Sequence, residues 1–96
     1  MPEIFIRTSW PDGSRMRCYS PSLVVEEFFE AGQSYQVGDF VSRSREALTI
    51  GSERVRAKYG FGCGQALTQL EAIEAKAAAL PPGAAAGLVT VDGFDR

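Results

Sequence analysis

Glu3-Ile4-Phe5-Ile6-Arg7-Thr8-Ser9-Trp10-Pro11-Asp12-Gly13-Ser14-Arg15-Met16-Arg17-Cys18-Tyr19 reads as two short extended runs joined by a turn, and that reading sets the fold class. Residues 3–9 gather β-branched and aromatic side chains, the composition of a strand. In Trp10-Pro11-Asp12-Gly13 the proline presets φ and the glycine supplies the positive φ that closes a hairpin. Beyond the turn, Met16 and Cys18 alternate with Arg15, Arg17 and Tyr19. One face of the second strand is therefore apolar and belongs against a core, while the other is polar.

Helical signals follow. Ser20-Pro21 is suited to open a first helix, with Ser20 as cap and Pro21 at the first helical position. Val24, Val25, Phe28 and Phe29 form its apolar stripe, Glu26, Glu27 and Glu30 its wet face, and Gly32 its stop. A short loop holds Tyr35. A second helix begins at Gly38 or Asp39, with Phe40, Val41, Ser44, Ala47 and Leu48 on one side, and Ile50-Gly51-Ser52 is expected to break it. Ser52 then caps a further helix, Glu53–Tyr59, which Gly60 stops, and Phe61-Gly62-Cys63-Gly64 is a kink or tight turn. Residues 65–80 carry Leu67, Leu70, Ile73, Ala77 and Leu80 at helical spacing. Pro81-Pro82-Gly83 ends that helix. In the Gly-rich stretch Ala84–Arg96, Leu88–Val91 reads either as an edge strand or as a mobile end. The expectation is an α+β fold: an N-terminal two-stranded antiparallel hairpin packed on three or four helices. A single domain would fill residues 1–80, with a tail over 81–96.

The bulk properties narrow the chemistry. A chain of 96 residues is one domain. A net charge of −2 and a pI near 5.0 disfavour a protein built to wrap nucleic acid, which needs excess Lys and Arg. No run nears the ~18 apolar residues of a membrane span, and the alternating N-terminus does not resemble a secretory leader. The chain has no histidine, which removes Ser-His-Asp and Cys-His catalysis, the commonest catalytic-zinc ligand and the usual neutral-pH base. The two cysteines, Cys18 and Cys63, form no CxxC motif, and a cytoplasmic protein with reduced thiols is expected.

Several side chains remain as candidates. Cys63, in the first turn of the last long helix and near Arg56 and Lys58, is either a thiolate of lowered pKa or a small buried hydrophobe. Cys18 shares a strand face with Met16, which favours core packing. Five of the ten basic residues, Arg43, Arg45, Arg54, Arg56 and Lys58, fall in one short span. Helices on either side of Gly51 give residues 39–59 the outline of a helix-turn-helix, against which stands a plain solvated helix pair laced with Arg–Glu pairs. Glu26, Glu27 and Glu30 are a solvated helix face rather than an acid/base set. No GxGxxG or P-loop is present. Trp10 is either a core lid or an exposed anchor for a partner.

Arg17-Cys18-Tyr19-Ser20-Pro21-Ser22, Asp39-Phe40-Val41, Arg43-Ser44-Arg45, Ser52-Glu53-Arg54-Val55-Arg56 and Lys58-Tyr59-Gly60-Phe61 occur together with the Trp10–Gly13 turn. Over residues 2–75 the chain thereby resembles a small bacterial family of nitrogen starvation response proteins, first named from a mycobacterial locus. The tail after Pro81 is taken to lie outside it. The resemblance implies gene clusters that also carry a nitrilase, a radical-SAM protein, an acetyltransferase-like protein and a synthase-like protein, associated with the use of nitriles or cyanide as nitrogen. It brings no catalytic residue. Its signature residues are Cys18, Tyr19, Arg45, Arg54, Arg56, Lys58, Tyr59 and Cys63, and these become the candidate binding residues.

The leading expectation is a non-enzymatic accessory or interaction protein in nitrogen-starvation metabolism, whose partner is encoded in the same nitrilase-containing cluster. One alternative is a small-molecule binder or sensor that holds an anion on the Arg/Lys cluster and uses a thiol. Another is a DNA-contacting regulator acting through residues 39–59. An enzyme using a Cys63 thiolate ranks last. No cofactor, metal or membrane is expected. A homodimer is expected, because a lone hairpin is marginal in water and its edge invites pairing.

Overall fold

Tyr35 and Val89 sit opposite each other as strand partners, so the sheet extends well past the N-terminal hairpin. The computed structural model describes residues 3–60 and 64–96 of the chain. Its elements are β1 (Ile4–Ser9), β2 (Arg15–Ser20), α1 (Val25–Phe28), β3 (Ser34–Gln36), α2 (Val37–Tyr59), α3 (Gly64–Ala78), α4 (Pro82–Ala85) and β4 (Leu88–Asp95). The strands form one antiparallel sheet in the order β2-β1-β4-β3. This is the expected α+β fold, with a hairpin at the front and a sheet of four strands rather than two.

The hairpin closes as its turn chemistry requires. The Trp10 N–H donates to the Ser14 carbonyl at 2.8 Å, and Gly13 takes φ +87°. Asp12 Oδ1 accepts the Ser14 N–H at 3.0 Å, fixing the turn. Alternation then sends Ile4, Ile6 and Thr8 of β1, Trp10 just after it, and Cys18 and Ser20 of β2 into the protein. Trp10 is 3% exposed and meets Phe40 edge-on at 5.4 Å, so it is a core residue and not a surface anchor.

The first helix is a single turn. Ser20, expected as its cap, is the buried last residue of β2. Its hydroxyl donates to the Ser22 carbonyl at 2.7 Å, and Ser22 Oγ accepts the Val24 N–H at 3.3 Å. Such local side-chain bonds compete with helix formation and hold the segment as a turn. Tyr35, expected in a loop, lies in β3.

α2 is one continuous helix of 23 residues running through Ile50-Gly51-Ser52. The break expected there, and with it the helix-turn-helix outline over 39–59, is corrected. Gly51 is buried in the helix against Pro21, and its φ is not positive. The helix ends instead at Gly60, whose φ is +87° and whose N–H donates to the Arg56 carbonyl at 2.8 Å. α3 follows the expected period in part: Ala66 and Ile73 are buried, but Leu67, expected in the stripe, is 59% exposed. Among the described residues, no helix is long and apolar enough to cross a membrane.

Residues 81–96 hold a second correction. Leu88–Asp95 is an inner strand, paired with β1 on one side and β3 on the other. Arg7 pairs with Gly93 and Thr8 with Val91, so Asp92 is an extra residue, a β-bulge. The bulge resets the alternation. Val89 and Val91 face the core before it, and Phe94 packs there after it. The homodimer expectation rested on a lone hairpin, and β4 has taken one of that hairpin's two edges.

Candidate functional site

Cys18 comes from the inward face of β2 and is 1% exposed. Burial pushes its thiol up to about 12, against a smaller opposing effect of the hydrogen bond to Thr8. It stays protonated at neutral pH and is a core side chain rather than a nucleophile. Cys63, and the question of whether the two cysteines meet, lies outside the described residues.

The basic residues of α2 follow one another in sequence, but the helix sends them to different partners. Arg43 Nε donates to Asp39 Oδ2 at 2.9 Å and its Nη1 to the Phe28 carbonyl at 2.8 Å, tying α1 to α2. Its pairing with Asp39 holds the guanidinium pKa above its ordinary value. Arg45 bonds Glu74 on α3 at 2.6 Å. Arg54 reaches Ser22 Oγ at 3.2 Å. Arg56 lies 3.9 Å from Glu53, and the Lys58 amine stands 5.5 Å from the Tyr59 ring. Three of these contacts, to the Phe28 carbonyl, Glu74 and Ser22, tie α2 to other parts of the chain, and the other three stay within the helix.

Two of the remaining signature residues belong to surfaces. Tyr59 is 52% exposed at the end of α2, and Leu67 is exposed in α3 just after the connection. α2 has no buried residue beyond Gly51, so its last two turns, which carry Arg54, Arg56, Lys58 and Tyr59, are not packed into the core. Tyr19 points to the outer side of the sheet, where it meets Phe5 edge-on at 5.7 Å. Its backbone N–H donates to Gln69 Oε1 at 2.9 Å, joining β2 to α3. A groove of about 760 Å³ lies there, floored by Phe5 and Tyr19 and walled by Gln65, Thr68 and Gln69.

The outer sheet face also carries residues that the sequence reading passed over. Arg7, Arg15 and Arg17 surround a cleft of about 530 Å³ with Thr8, Met16 and Asp92. Arg7 and Arg17 are directly opposed cross-strand partners. Asp95 bridges them, 3.1 Å from Arg7 Nε and 3.8 Å from Arg17 Nε. The Arg17 guanidinium lies 3.9 Å over the Phe5 ring, close enough for a cation–π contact. The signal was present as alternation, since Arg7, Arg15 and Arg17 all occupy the wet positions of the hairpin. Among the described residues, no group of three His, Cys, Asp or Glu is placed to hold a metal ion.

A family model described as "Nitrogen starvation-induced protein NitG" matches residues 5–94. The match runs through β4, so the stretch after Pro81 lies inside the resemblance and not outside it. No curated protein and no solved structure matches the chain.

Proposed function

This chain belongs to the NitG family of nitrogen starvation-induced proteins, and we propose that within that response it is a non-enzymatic accessory protein that binds a partner. The observation that carries this reading is the exposure of two large side chains, Tyr59 at the end of α2 (52%) and Leu67 near the start of α3 (59%), with the Lys58 amine 5.5 Å from the Tyr59 ring. Large apolar side chains flanked by cations suit an interface with an acidic rim, and Tyr and Arg are enriched at binding hot spots. The missing histidine and the buried, protonated Cys18 thiol support binding over group transfer. The partner we propose is an enzyme encoded in the same nitrilase-containing cluster, serving the use of nitrile or cyanide nitrogen in the cytoplasm.

The test is a tagged pull-down from nitrogen-starved cells, read by mass spectrometry against fed cells. The wild-type chain is expected to bring down one cluster-encoded enzyme in near-equal amount, and Tyr59→Ala with Leu67→Gln to lose it. Absence of any such enzyme from the starved sample overturns the reading.

Self-pairing is a second reading, favoured by the position of β2 at the edge of the sheet. An antiparallel β2–β2 contact brings Arg15 and Arg17 of one copy close to those of the other, a like-charge cost the dimer has to offset. Light scattering that returns a monomer at micromolar concentration ends it.

A further inference from the structure

We propose that the open face of the sheet is a binding site for a small oxyanion, a carboxylate- or phosphate-bearing metabolite, held by Arg7, Arg15 and Arg17. This goes beyond the partner-binding reading and uses a different surface.

Strand alternation puts all three guanidinium-bearing side chains on the outer face, two from β2 and one from β1. The cleft they line, about 530 Å³, is within the size range of small-ligand pockets. Placing Arg7 directly opposite Arg17 is unfavourable in itself, because like charges opposed across a ladder repel. The face tolerates it through a single carboxylate, Asp95, shared between the two. The second acid of the cleft, Asp92, accepts the Ser9 hydroxyl at 2.6 Å. Arg15 has no ion-pair partner among the described residues, so the cleft carries three cations against two anions.

The donors are also held in place. Arg17 is stacked on Phe5 at 3.9 Å and tethered by Asp95. Arg7 lies over Gly93, where the space a Cβ would take is occupied by its guanidinium. That crossing point sits beside the bulge at Asp92. Planar guanidinium groups fixed in this way match the two-oxygen edge of a carboxylate or phosphate. One face of the Phe5 ring is already taken by the Arg17 guanidinium, which disfavours stacking of a nucleic-acid base there. The acidic pI of 5.0 points the same way.

The test is calorimetric titration of the full chain at fixed ionic strength with inorganic phosphate and, separately, with succinate, using chloride as control. Saturable binding of phosphate or of succinate, but not chloride, is expected, and whichever anion binds identifies the headgroup. Arg15→Ala and Arg17→Ala should each weaken it by about tenfold or more. Asp95→Asn removes the internal competitor and should tighten it. Glu53→Gln makes the same charge change on α2 and should leave it unaltered. Equal heats with chloride overturn the proposal. So does undiminished binding by both arginine variants, or salt-dependent binding of a short oligothymidylate with no response to either small anion. Because Tyr59 and Leu67 are absent from this site, loss of oxyanion binding and loss of the pulled-down partner are separate failures.

Discussion

Gly51 of α2 packs against Pro21, and a Cβ at Gly51 would stand 3.2 Å from the proline Cγ. That closeness explains why a glycine occupies the middle of the long helix. Glycine in a helix interior costs about 1 kcal/mol relative to alanine. Alanine at 51 recovers the propensity but crowds the Pro21 ring, and the expected net change is small. Valine at 51 adds further bulk to a filled contact and should destabilise by about 1–3 kcal/mol. A methyl group at Gly38 would meet nothing within 4 Å, so Gly38→Ala should stabilise by up to about 1 kcal/mol. Urea unfolding of the three variants separates a packing glycine from a helix-breaking one.

Thr8 links the core to the hairpin. The Trp10 indole N–H donates to Thr8 Oγ1 at 3.0 Å, and that hydroxyl donates to the Met16 carbonyl at 2.8 Å. Thr8→Val keeps the shape and leaves the buried indole N–H without its acceptor, at a cost of about 1–3 kcal/mol. Trp10 is the chain's one tryptophan, so its fluorescence reports the shifted unfolding midpoint directly. An unchanged midpoint shows that the indole has found another acceptor.

The hairpin was legible because its information is local: Pro11-Asp12-Gly13 states the turn, and alternation states the faces. α3 was legible from its period, although Leu67 fits the spacing and still faces solvent. β3 has only three residues, too few for alternation to register. In β4 the bulge at Asp92 breaks the period between Val91 and Phe94, so the strand signal stopped at Val91 and did not distinguish an inner strand from an edge strand or a mobile end. Gly51 carried the signature of a break but serves close packing, which only the position of Pro21 reveals. The basic residues of α2 scatter for a related reason. Arg43, Arg45, Arg54, Arg56 and Lys58 lie on one helix, which sends them to different partners, whereas Arg7 and Arg17 sit on two strands and are brought opposite each other by their pairing.

Asp12 gives an acid-side prediction. The Ser14 hydroxyl, then the Ser14 N–H, with a smaller contribution from Lys76, hold its carboxyl at about 2, below its ordinary 3.8. A carboxylate with a lowered pKa stabilises the fold above its unfolded value, and that stabilisation is lost as pH falls from there through the folded value. Asp12→Asn should therefore narrow its stability gap to wild type between about pH 4 and pH 2. Thermal melts of both proteins across that window check it; a gap that stays constant with pH assigns the effect to shape alone.

Cys18 gives the alkaline counterpart. A thiol raised from 9.0 to about 12 favours the folded state while it is protonated in both states, below pH 9. Above that pH the unfolded chain ionises first, so stability falls as pH rises toward 12. Cys18→Ala should be less stable at neutral pH and show a shallower decline from pH 9 upward. With Cys63→Ser as background, iodoacetamide at pH 8 should leave the native protein unmodified and label it only in denaturant. Rapid labelling of the native chain contradicts the buried placement.

Deleting residues 81–96 tests the role of β4. Val89 and Val91 are 0% exposed, and their loss alone removes about 3–6 kcal/mol of burial. The deletion also strips β1 of one ladder and leaves β3 with no neighbouring strand. A domain of this size has about 5–15 kcal/mol of net stability, so little or none remains. The 1–80 fragment should show no cooperative thermal transition and no dispersed amide spectrum. A fragment that melts cooperatively instead makes β4 an addition to a self-sufficient hairpin and helix pair, and the outer face that bears Asp92 and Asp95 becomes a surface completed only when the C-terminal strand docks.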